Sequence, residues 1–201
     1  MKYLYGNKLF WFNKRMFDIS VSLLLIPILI IIGIMLLVLN QFFNSGELFF
    51  TQERMGKNCK VFVAFKFRTM SFSEKITRKY DDPIEVNRIT PLGRILRKMR
   101  IDELPQILNV LKGDMSLIGP RPDYYIHALE YLKLVEGYRE RYVIRPGITG
   151  LSQIRLGYVE NLETTSQKTS IDNYYIKNLS YFTEFKIIIN TIFIIMRGLG
   201  K

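Results

Sequence analysis

Cysteine and histidine are nearly absent from this chain. Cys59 is its single cysteine and His127 its single histidine, so it lacks the residues that build disulfide frameworks, zinc clusters and histidine-driven catalytic triads. It also has no Gly-x-x-x-x-Gly-Lys-Ser/Thr loop and no Gly-x-Gly-x-x-Gly motif after a strand, which argues against ordinary nucleoside triphosphate and dinucleotide folds. A metal ion would therefore need oxygen ligands, as Mg2+ prefers.

Acidic residues are scarce relative to basic ones. The chain has 29 Lys and Arg against 18 Asp and Glu, a formal net charge of +11 and a pI near 9.7. Such an excess favours an anionic partner, which could be nucleic acid, anionic lipid or a phosphorylated substrate. No RNA-binding signature is present. With 201 residues and 48% hydrophobic content, we expect one folded catalytic unit plus one appended segment.

One long segment lacks charge altogether. It runs from Ile19 to Leu39 and is interrupted only by two serines, Pro27 and Gly33. A stretch of about 20 apolar residues is long enough to span a hydrocarbon core. It is too long for a usual signal peptide, and no small-residue cleavage site follows it. We therefore predict that this segment enters a membrane, which makes nucleic acid an improbable partner.

Basic residues flank this segment on both sides. They are Lys8, Lys14 and Arg15 before it and Arg54, Lys57, Lys60, Lys66 and Arg68 after it. The positive-inside rule then places both ends on the cytoplasmic side, as in a re-entrant helix that bends and returns. Pro27 offers a point for the bend. A single-pass helix with a proline kink fits the residues equally well.

The remaining pattern predicts an α+β fold that is mainly helical. Alternating residues from Leu48 to Met70 predict a small β-hairpin around a Gly-Lys-Asn turn. Thr90 and Pro91 predict the start of a helix that ends near Met99, and a second helix is expected from Asp102 to Lys112. Apolar residues from 185 to 196 predict a helix that is either buried or lies in the membrane interface. Nearby basic residues favour the interface, as one of several interfacial amphipathic helices. We divide the chain into an N-terminal membrane segment, 1–43, and a catalytic domain, 44–201.

The pair Asp102-Glu103 is the main candidate for chemistry. Four cations precede it closely in sequence: Arg94, Arg97, Lys98 and Arg100. Nearby cations hold a carboxylate ionised, and an ionised aspartate can act as a nucleophile or bind magnesium. The alternative is structural, because an aspartate at a helix start is a common N-cap and a first-turn glutamate suits the helix dipole.

Further basic residues are candidates for binding phosphate. Arg121 and Arg145 each lie beside a proline in a glycine-containing loop, where a guanidinium can be held to bind phosphate oxygens with two hydrogen bonds. Lys66 and Arg68 alternate with phenylalanines, so both should lie on one face of a strand. The structural alternatives are surface arginines in turns and a solvated strand face.

A series of motifs in a fixed order resembles the bacterial sugar transferase family. These are small monotopic polyprenyl-phosphate phosphoglycosyl transferases that begin glycan assembly on lipid carriers. The motifs are Lys14-Arg15-x-x-Asp18, Gln52-x-Arg54-x-Gly56, Lys66-Phe67-Arg68-Thr69-Met70, Leu92-Gly93-x-x-Leu96-Arg97, Asp102-Glu103-Leu104-Pro105-Gln106, Asn109-Val110-Leu111-x-Gly113-Asp114-Met115-Ser116, Gly119-Pro120-Arg121-Pro122, Arg145-Pro146-Gly147-Ile148-Thr149-Gly150 and Asp172-x-Tyr174-Tyr175.

The resemblance implies a two-step transfer. Asp102 would attack the sugar-bearing phosphate of a UDP-sugar, release UMP and form a phosphosugar-aspartyl intermediate, from which undecaprenyl or another polyprenyl phosphate takes the sugar phosphate. Glu103 would assist the second attack as a base or through a magnesium ion bound at Asp102. The predicted phosphate-binding residues are Arg97, Arg121, Arg145, Lys66 and Arg68.

The resemblance also implies a location and a pathway. The enzyme would lie in the bacterial inner membrane, with a re-entrant helix and its catalytic domain on the cytoplasmic face, and would begin exopolysaccharide, capsule, O-antigen or glycoprotein glycan synthesis. Membrane lipid and a second copy of the chain are further expected partners. One departure concerns the helix, because the family breaks it at a Ser-Pro pair about one turn beyond Pro27, where this chain has Ile30-Ile31.

Two other functions remain open on sequence. One is a basic membrane adaptor without activity, in which Asp102-Glu103 only caps a helix. The other is a conventional glycosyltransferase, which would release UDP instead of UMP. Neither the sugar nor the glycan follows from the residues, although the polar segment 155–170 is expected to contribute to donor choice.

Overall fold

The computed structural model describes residues 7–43, 46–71, 80, 82, 85–157 and 161–198. Within these ranges the fold is mainly helical with two small two-stranded sheets, which confirms the α+β prediction. The helices are α1 Lys8–Phe43, α2 Pro91–Lys98, α3 Gln106–Lys112, α4 Tyr125–Leu134, α5 Leu151–Leu156, α6 Leu162–Lys177 and α7 Tyr181–Met196. The strands are β1 Phe49–Met55, β2 Val61–Phe67, β3 Ser116–Ile118 and β4 Gly147–Thr149.

Helix α1 is long and apolar enough to cross a membrane by length and composition. It continues through Pro27 without interruption. Its buried residues recur every three or four positions, or every seven, so they form one stripe along the helix; they are Lys14, Asp18, Ser22, Leu29, Gly33, Leu36 and Asn40. The helix therefore lies along the rest of the protein, while large apolar side chains on its other faces remain exposed.

The first part of α1 is held by polar contacts. Arg15 donates hydrogen bonds from its two terminal nitrogens to the carbonyls of Val110 (2.7 Å) and Leu111 (3.0 Å) at the end of α3, where helix carbonyls lack internal partners. Asp18 accepts a hydrogen bond from the Leu117 amide at 3.0 Å. Because these contacts are specific in direction, they set how α1 lies on the domain.

Apolar packing holds the second part of α1. Leu29 and Leu36 are buried in one cluster with Phe67 of β2, Leu96 of α2 and Ile107 of α3. Burying an aliphatic side chain of this size contributes about 1.5–3 kcal/mol. Both parts of α1 therefore contact the same domain.

The predicted hairpin and the predicted cap of α2 are both confirmed. Strands β1 and β2 pair antiparallel, with Phe49 opposite Phe67 and Met55 opposite Val61. The Thr90 hydroxyl accepts a hydrogen bond from the Gly93 amide at 2.9 Å. These elements carry Lys66 and Arg97 to the position described below.

The two proline-containing loops also form strands, which the sequence did not indicate. Strand β3 pairs parallel with β4, and Gly119 donates its amide to the Thr149 carbonyl at 2.9 Å. A Cβ on Gly147 would lie 2.0 Å from the Gly119 nitrogen, so this approach requires glycine.

The helix predicted from Asp102 begins later, and that boundary was wrong. Ile101–Glu103 forms a 3-10 turn, and α3 starts at Gln106. Arg100 adopts a left-handed conformation with φ 59°, which changes the chain direction before Asp102, and Pro105 occupies the N-cap of α3. The last helix begins at Tyr181 instead of residue 185, because Ser180 accepts a hydrogen bond from the Thr183 amide.

A buried arginine joins the C-terminal half of the fold. The Arg141 side chain is fully buried and donates to Asp172 at 2.8 Å, to Asp123 at 2.8 Å and to the Arg121 carbonyl at 3.0 Å. Its guanidinium also lies over the ring of Tyr138, 4.8 Å from the centroid. Arg141 therefore fixes the backbone of the loop that carries Arg121.

We predict that Arg141→Gln lowers the free energy of unfolding by about 3–5 kcal/mol, because it leaves the buried Asp172 carboxylate without its cation and removes one of the two cations that hold Asp123. Denaturant unfolding in a nonionic detergent measures this. Arg139→Gln is the matched control, since Arg139 lies exposed in the same turn and its loss should cost no more than about 0.5 kcal/mol. Equal losses in both variants would contradict the assignment.

Candidate active site

A cleft of about 530 Å3 opens between the hairpin, the end of α2 and the loop after β3. This size is typical of pockets for small-molecule substrates. Five of the predicted site residues line it: Lys66, Arg68, Arg97, Asp102 and Arg121. The structure thus brings together candidates that are up to 55 positions apart in sequence, between Lys66 and Arg121.

Glu103 lies beside this cleft and is surrounded by cations. Its carboxylate accepts hydrogen bonds from Lys66 at 3.0 Å and from both terminal nitrogens of Arg121, one of them at 3.0 Å. Arg100 lies 3.6 Å away. Burial by itself would raise the pKa of Glu103, but the charges of Arg121 and Lys66 outweigh it and hold that pKa well below its usual range.

Asp102 is adjacent in sequence but has a different environment. Its side chain is only 6% exposed, yet its carboxylate makes no hydrogen bond or ion pair with the part of the chain that the structure describes. Burial raises its pKa to about 6, and the negative charge of Glu103 acts in the same direction. A more basic carboxylate without partners is free to bind or attack a substrate.

These two environments correct part of the sequence-based interpretation. We expected the cations that precede the pair in sequence to hold Asp102 ionised. Of these, Arg97 does act to lower the pKa of Asp102, as do Lys66 and Arg121, but burial and the charge of Glu103 outweigh them. The helix-cap alternative for Asp102 is also wrong, since Pro105 is the N-cap of α3 and no side chain caps that helix. The turn at 101–103 therefore gives two adjacent carboxylates different surroundings. Glu103 is paired with cations, whereas Asp102 makes no ion pair in the described structure.

Two further cations of the cleft differ in availability. Arg97 is half-buried, and its Nε has no hydrogen-bond partner in the described structure. Its charge acts to lower the pKa of Asp102, so the two groups are close. Arg68 donates from Nε to the Glu47 carbonyl at 2.8 Å. Arg97 is therefore well placed to accept an anionic ligand.

Sequence reasoning missed a second charged pair in the cleft. Lys168 of α6 pairs with Asp123 at 2.5 Å, and both line the cleft. Burial lowers the pKa of Lys168 to about 8 although Asp123 opposes the change. Burial would raise the pKa of Asp123, but Lys168 and Arg141 outweigh it and hold that pKa well below its usual range. Asp123 directly follows the Arg121-Pro122 motif, and Lys168 lies in the polar segment 155–170 that was expected to contribute to donor choice, although no motif there singled it out.

Two buried polar side chains of α5 also line the cleft. They are Ser152 and Gln153, and the Ser152 hydroxyl and the Gln153 side-chain oxygen have no hydrogen-bond partner in the described structure. Unpaired buried polar atoms are costly, so a ligand in the cleft could satisfy them.

Of the predicted phosphate-binding residues, Arg145 is the one that does not line this cleft. It lines a separate cavity of about 140 Å3, and its Nε donates to the Gly113 carbonyl at 2.8 Å. The two cavities share no lining residue. Although β3 and β4 bring the backbones of the two loops together, they direct Arg121 and Arg145 into different cavities.

The described residues include no cluster of three acidic, cysteine or histidine side chains that could hold a metal. Magnesium does not need one, because it binds through one or two carboxylates together with waters and substrate phosphates. The unpaired carboxylate of Asp102 in a cleft lined with cations fits that mode of binding.

Comparisons with known proteins identify a family and several relatives. A family model described as bacterial sugar transferase matches residues 9–198. A UDP-N-acetylgalactosamine-undecaprenyl-phosphate N-acetylgalactosaminephosphotransferase of Aeromonas hydrophila is 37% identical over 98% of this chain and 47% of its own length. A UDP-glucose:undecaprenyl-phosphate glucose-1-phosphate transferase of Escherichia coli is 36% identical over 90% of this chain and 39% of its own length.

A third relative has a similar size. An uncharacterized sugar transferase, EpsL, of Bacillus subtilis is 38% identical over 89% of this chain and 85% of its own length. The chain therefore spans less than half the length of the two named transferases above and most of this shorter relative.

We predict opposite effects on stability for the two adjacent carboxylates. Glu103→Gln should lower the free energy of unfolding by roughly 2–4 kcal/mol, because it removes the buried negative charge that pairs with Lys66 and Arg121. Asp102→Asn should leave it unchanged or raise it, because folding raises the pKa of Asp102 and so disfavours its charged form at neutral pH. Denaturant unfolding at pH 7 compares them, and a larger loss for Asp102→Asn would contradict the geometry.

Proposed function

The chain belongs to the bacterial sugar transferase family, and on this basis we propose that it transfers a sugar 1-phosphate from a UDP-sugar to a polyprenyl phosphate such as undecaprenyl phosphate. UMP leaves, and the product is a polyprenyl-diphosphate-sugar, the first intermediate of a lipid-linked glycan such as an exopolysaccharide. The observation that carries the proposal is the unpaired Asp102 carboxylate in a cleft lined with cations. The names of two relatives support the classes of donor and acceptor.

In the first step, a carboxylate oxygen of Asp102 attacks the phosphorus that bears the sugar. The bond from that phosphorus to the bridging oxygen of UMP breaks, and UMP leaves with the electron pair. The product is a mixed anhydride between Asp102 and the sugar phosphate. This role suits a carboxylate that is buried, has a raised pKa and makes no protein contact that would have to break first.

In the second step, a phosphate oxygen of the polyprenyl phosphate attacks the same phosphorus. The bond to Asp102 breaks and restores its carboxylate. Dividing the transfer in this way lets one small site bind a soluble donor and a lipid acceptor in turn.

Glu103 holds the cations of the site in place between substrates. Lys66 and Arg121 pair with it in the structure, and donor phosphates in the cleft compete for the same donors. As the cations turn toward the phosphates, the carboxylate of Glu103 is less strongly held and its pKa rises. Glu103 then takes a proton from the incoming polyprenyl phosphate.

Arg97 binds the phosphate next to Asp102, since its Nε is unpaired and its charge acts on that carboxylate. Arg68 is a further basic residue that lines the cleft.

Magnesium bound at Asp102 would neutralise phosphate charge as UMP leaves. Lys168, Ser152 and Gln153 lie on the wall formed by α5 and α6 and contact the nucleoside or the sugar of the donor.

The proposed location is the cytoplasmic face of the inner membrane, and exposed apolar faces support the association with a membrane. On α1 and α7 the side chains of Leu24, Ile31, Phe42, Phe182 and Met196 are all at least 55% exposed. So much exposed apolar surface requires a nonpolar environment. Both parts of α1 contact one domain, which supports a helix whose two ends lie on the same side.

We expect Asp102→Asn to reduce UMP release from a UDP-sugar by at least roughly a thousandfold, as for the loss of a covalent nucleophile. The assay contains magnesium and polyprenyl phosphate. Release of UDP instead of UMP would show a conventional glycosyltransferase, and full activity of Asp102→Asn would contradict the assignment of Asp102 as the nucleophile.

Intact mass spectrometry without acceptor should detect the sugar-phosphate adduct in the wild-type protein and in Glu103→Gln, but not in Asp102→Asn.

Cysteine labelling in a Cys59→Ser background tests whether the two ends of α1 lie on the same side of the membrane. Lys8→Cys and Gln41→Cys place one thiol near each end of α1, where both residues are exposed. A membrane-impermeant maleimide should label both in inside-out vesicles and neither in intact cells. Labelling of the two ends from opposite sides would show a helix that spans the membrane.

A further inference from the structure

The second cavity, which contains Arg145, has no role in the transfer described above. Its volume is about 140 Å3, several times the roughly 30 Å3 that one water molecule occupies, so a phosphate group fits. The lining residues are Trp11, Lys14, Arg15, Asp18, Lys57, Ser116, Val143, Ile144 and Arg145. Four cations and one carboxylate therefore line a small, partly open cavity.

Two of these cations, Arg145 and Lys57, have N–H groups that make no hydrogen bond in the described structure. Lys14 is paired with Glu184, and Arg15 donates to the end of α3. Arg145 uses Nε to bind the Gly113 carbonyl, but its terminal nitrogens have no partner in the described structure. The Lys57 ammonium likewise makes no hydrogen bond or ion pair there. The cavity thus has an excess of positive charge and unused donors.

A buried hydroxyl points to the same conclusion independently. Ser116 is 2% exposed and lines the cavity, and its Oγ has no hydrogen-bond partner among the residues that the structure describes. A buried hydroxyl without a partner costs about 1–3 kcal/mol. A phosphate oxygen in the cavity could accept a hydrogen bond from it.

The position of the cavity indicates where such a phosphate comes from. Trp11 and Arg15 lie on the turns of α1 where Leu9, Phe12 and Met16 are exposed by 63%, 63% and 48%. Tryptophan and basic residues beside exposed apolar side chains are typical of the headgroup level of a membrane. A phosphate at this level belongs to a lipid headgroup.

We propose that this cavity binds the headgroup phosphate of an anionic membrane phospholipid. Arg145 and Lys57 hold the phosphate oxygens, and Ser116 donates one hydrogen bond. The acyl chains lie along the exposed apolar face at the start of α1. Because the hairpin turn carries Lys57 and β3 carries Ser116, a bound lipid fixes both to the start of α1. This site is independent of the transfer reaction and assigns Arg145 to a different phosphate.

The test measures thermal stabilisation of the full-length protein in a nonionic detergent. The probe is dihexanoyl phosphatidylglycerol, compared with dihexanoylglycerol, which lacks the phosphate, and with inorganic phosphate. Lys57→Gln and Ser116→Ala weaken the site without removing a described hydrogen bond of either side chain. Lys60→Gln is the matched control, since Lys60 is exposed near Lys57 in the hairpin turn and does not line the cavity.

We expect the phospholipid to raise the melting temperature and dihexanoylglycerol to leave it unchanged. The half-saturating lipid concentration should rise at least roughly fivefold in Lys57→Gln and in Ser116→Ala, and by less than about twofold in Lys60→Gln. Equal weakening in Lys57→Gln and Lys60→Gln would overturn the proposal, because it would show a general effect of surface charge. So would the same stabilisation by dihexanoylglycerol, or by inorganic phosphate at equal concentration.

Discussion

The neutralisation of Glu103 organises the candidate active site. Its carboxylate joins Lys66 of the hairpin to Arg121 of the loop after β3, with Arg100 nearby. Two cations turned toward each other would repel, and a buried carboxylate alone would be costly, so these elements are stable together only as a set. In the same arrangement the Asp102 carboxylate makes no ion pair with the described residues, and the negative charge of Glu103 raises its pKa.

A second set of buried charges holds the first in position. Arg141 contacts Asp123, Asp172 and the backbone of Arg121, and Asp123 in turn holds Lys168. This network fixes the backbone of the loop with Arg121 and also holds Lys168 at the cleft. Buried networks of this kind are rigid only when complete, which explains why so many charges lie in the interior of a small protein.

The membrane segment is part of this architecture as well. Helix α1 lies against the domain through one stripe, and directional contacts from Arg15 and Asp18 fix it to α3 and β3. The cleft that holds Asp102 and the cavity that holds Arg145 therefore keep a constant position relative to the apolar surface. In the proposed transfer, which uses one soluble and one lipid substrate, this constancy would set the height of the Asp102 carboxylate above the lipid.

Local sequence determined the features that depend on near neighbours. The charge-free stretch predicted α1, alternation predicted the hairpin with Lys66 and Arg68 on one face, and Thr90 with Pro91 predicted the start of α2. Tertiary structure decided what depends on contacts between distant residues. It paired Lys66 and Arg121 with Glu103 instead of Asp102, directed Arg121 and Arg145 into separate cavities, and brought Lys168 to Asp123. No sequence pattern contains this information, because charge pairing and burial depend on which side chains are close in space.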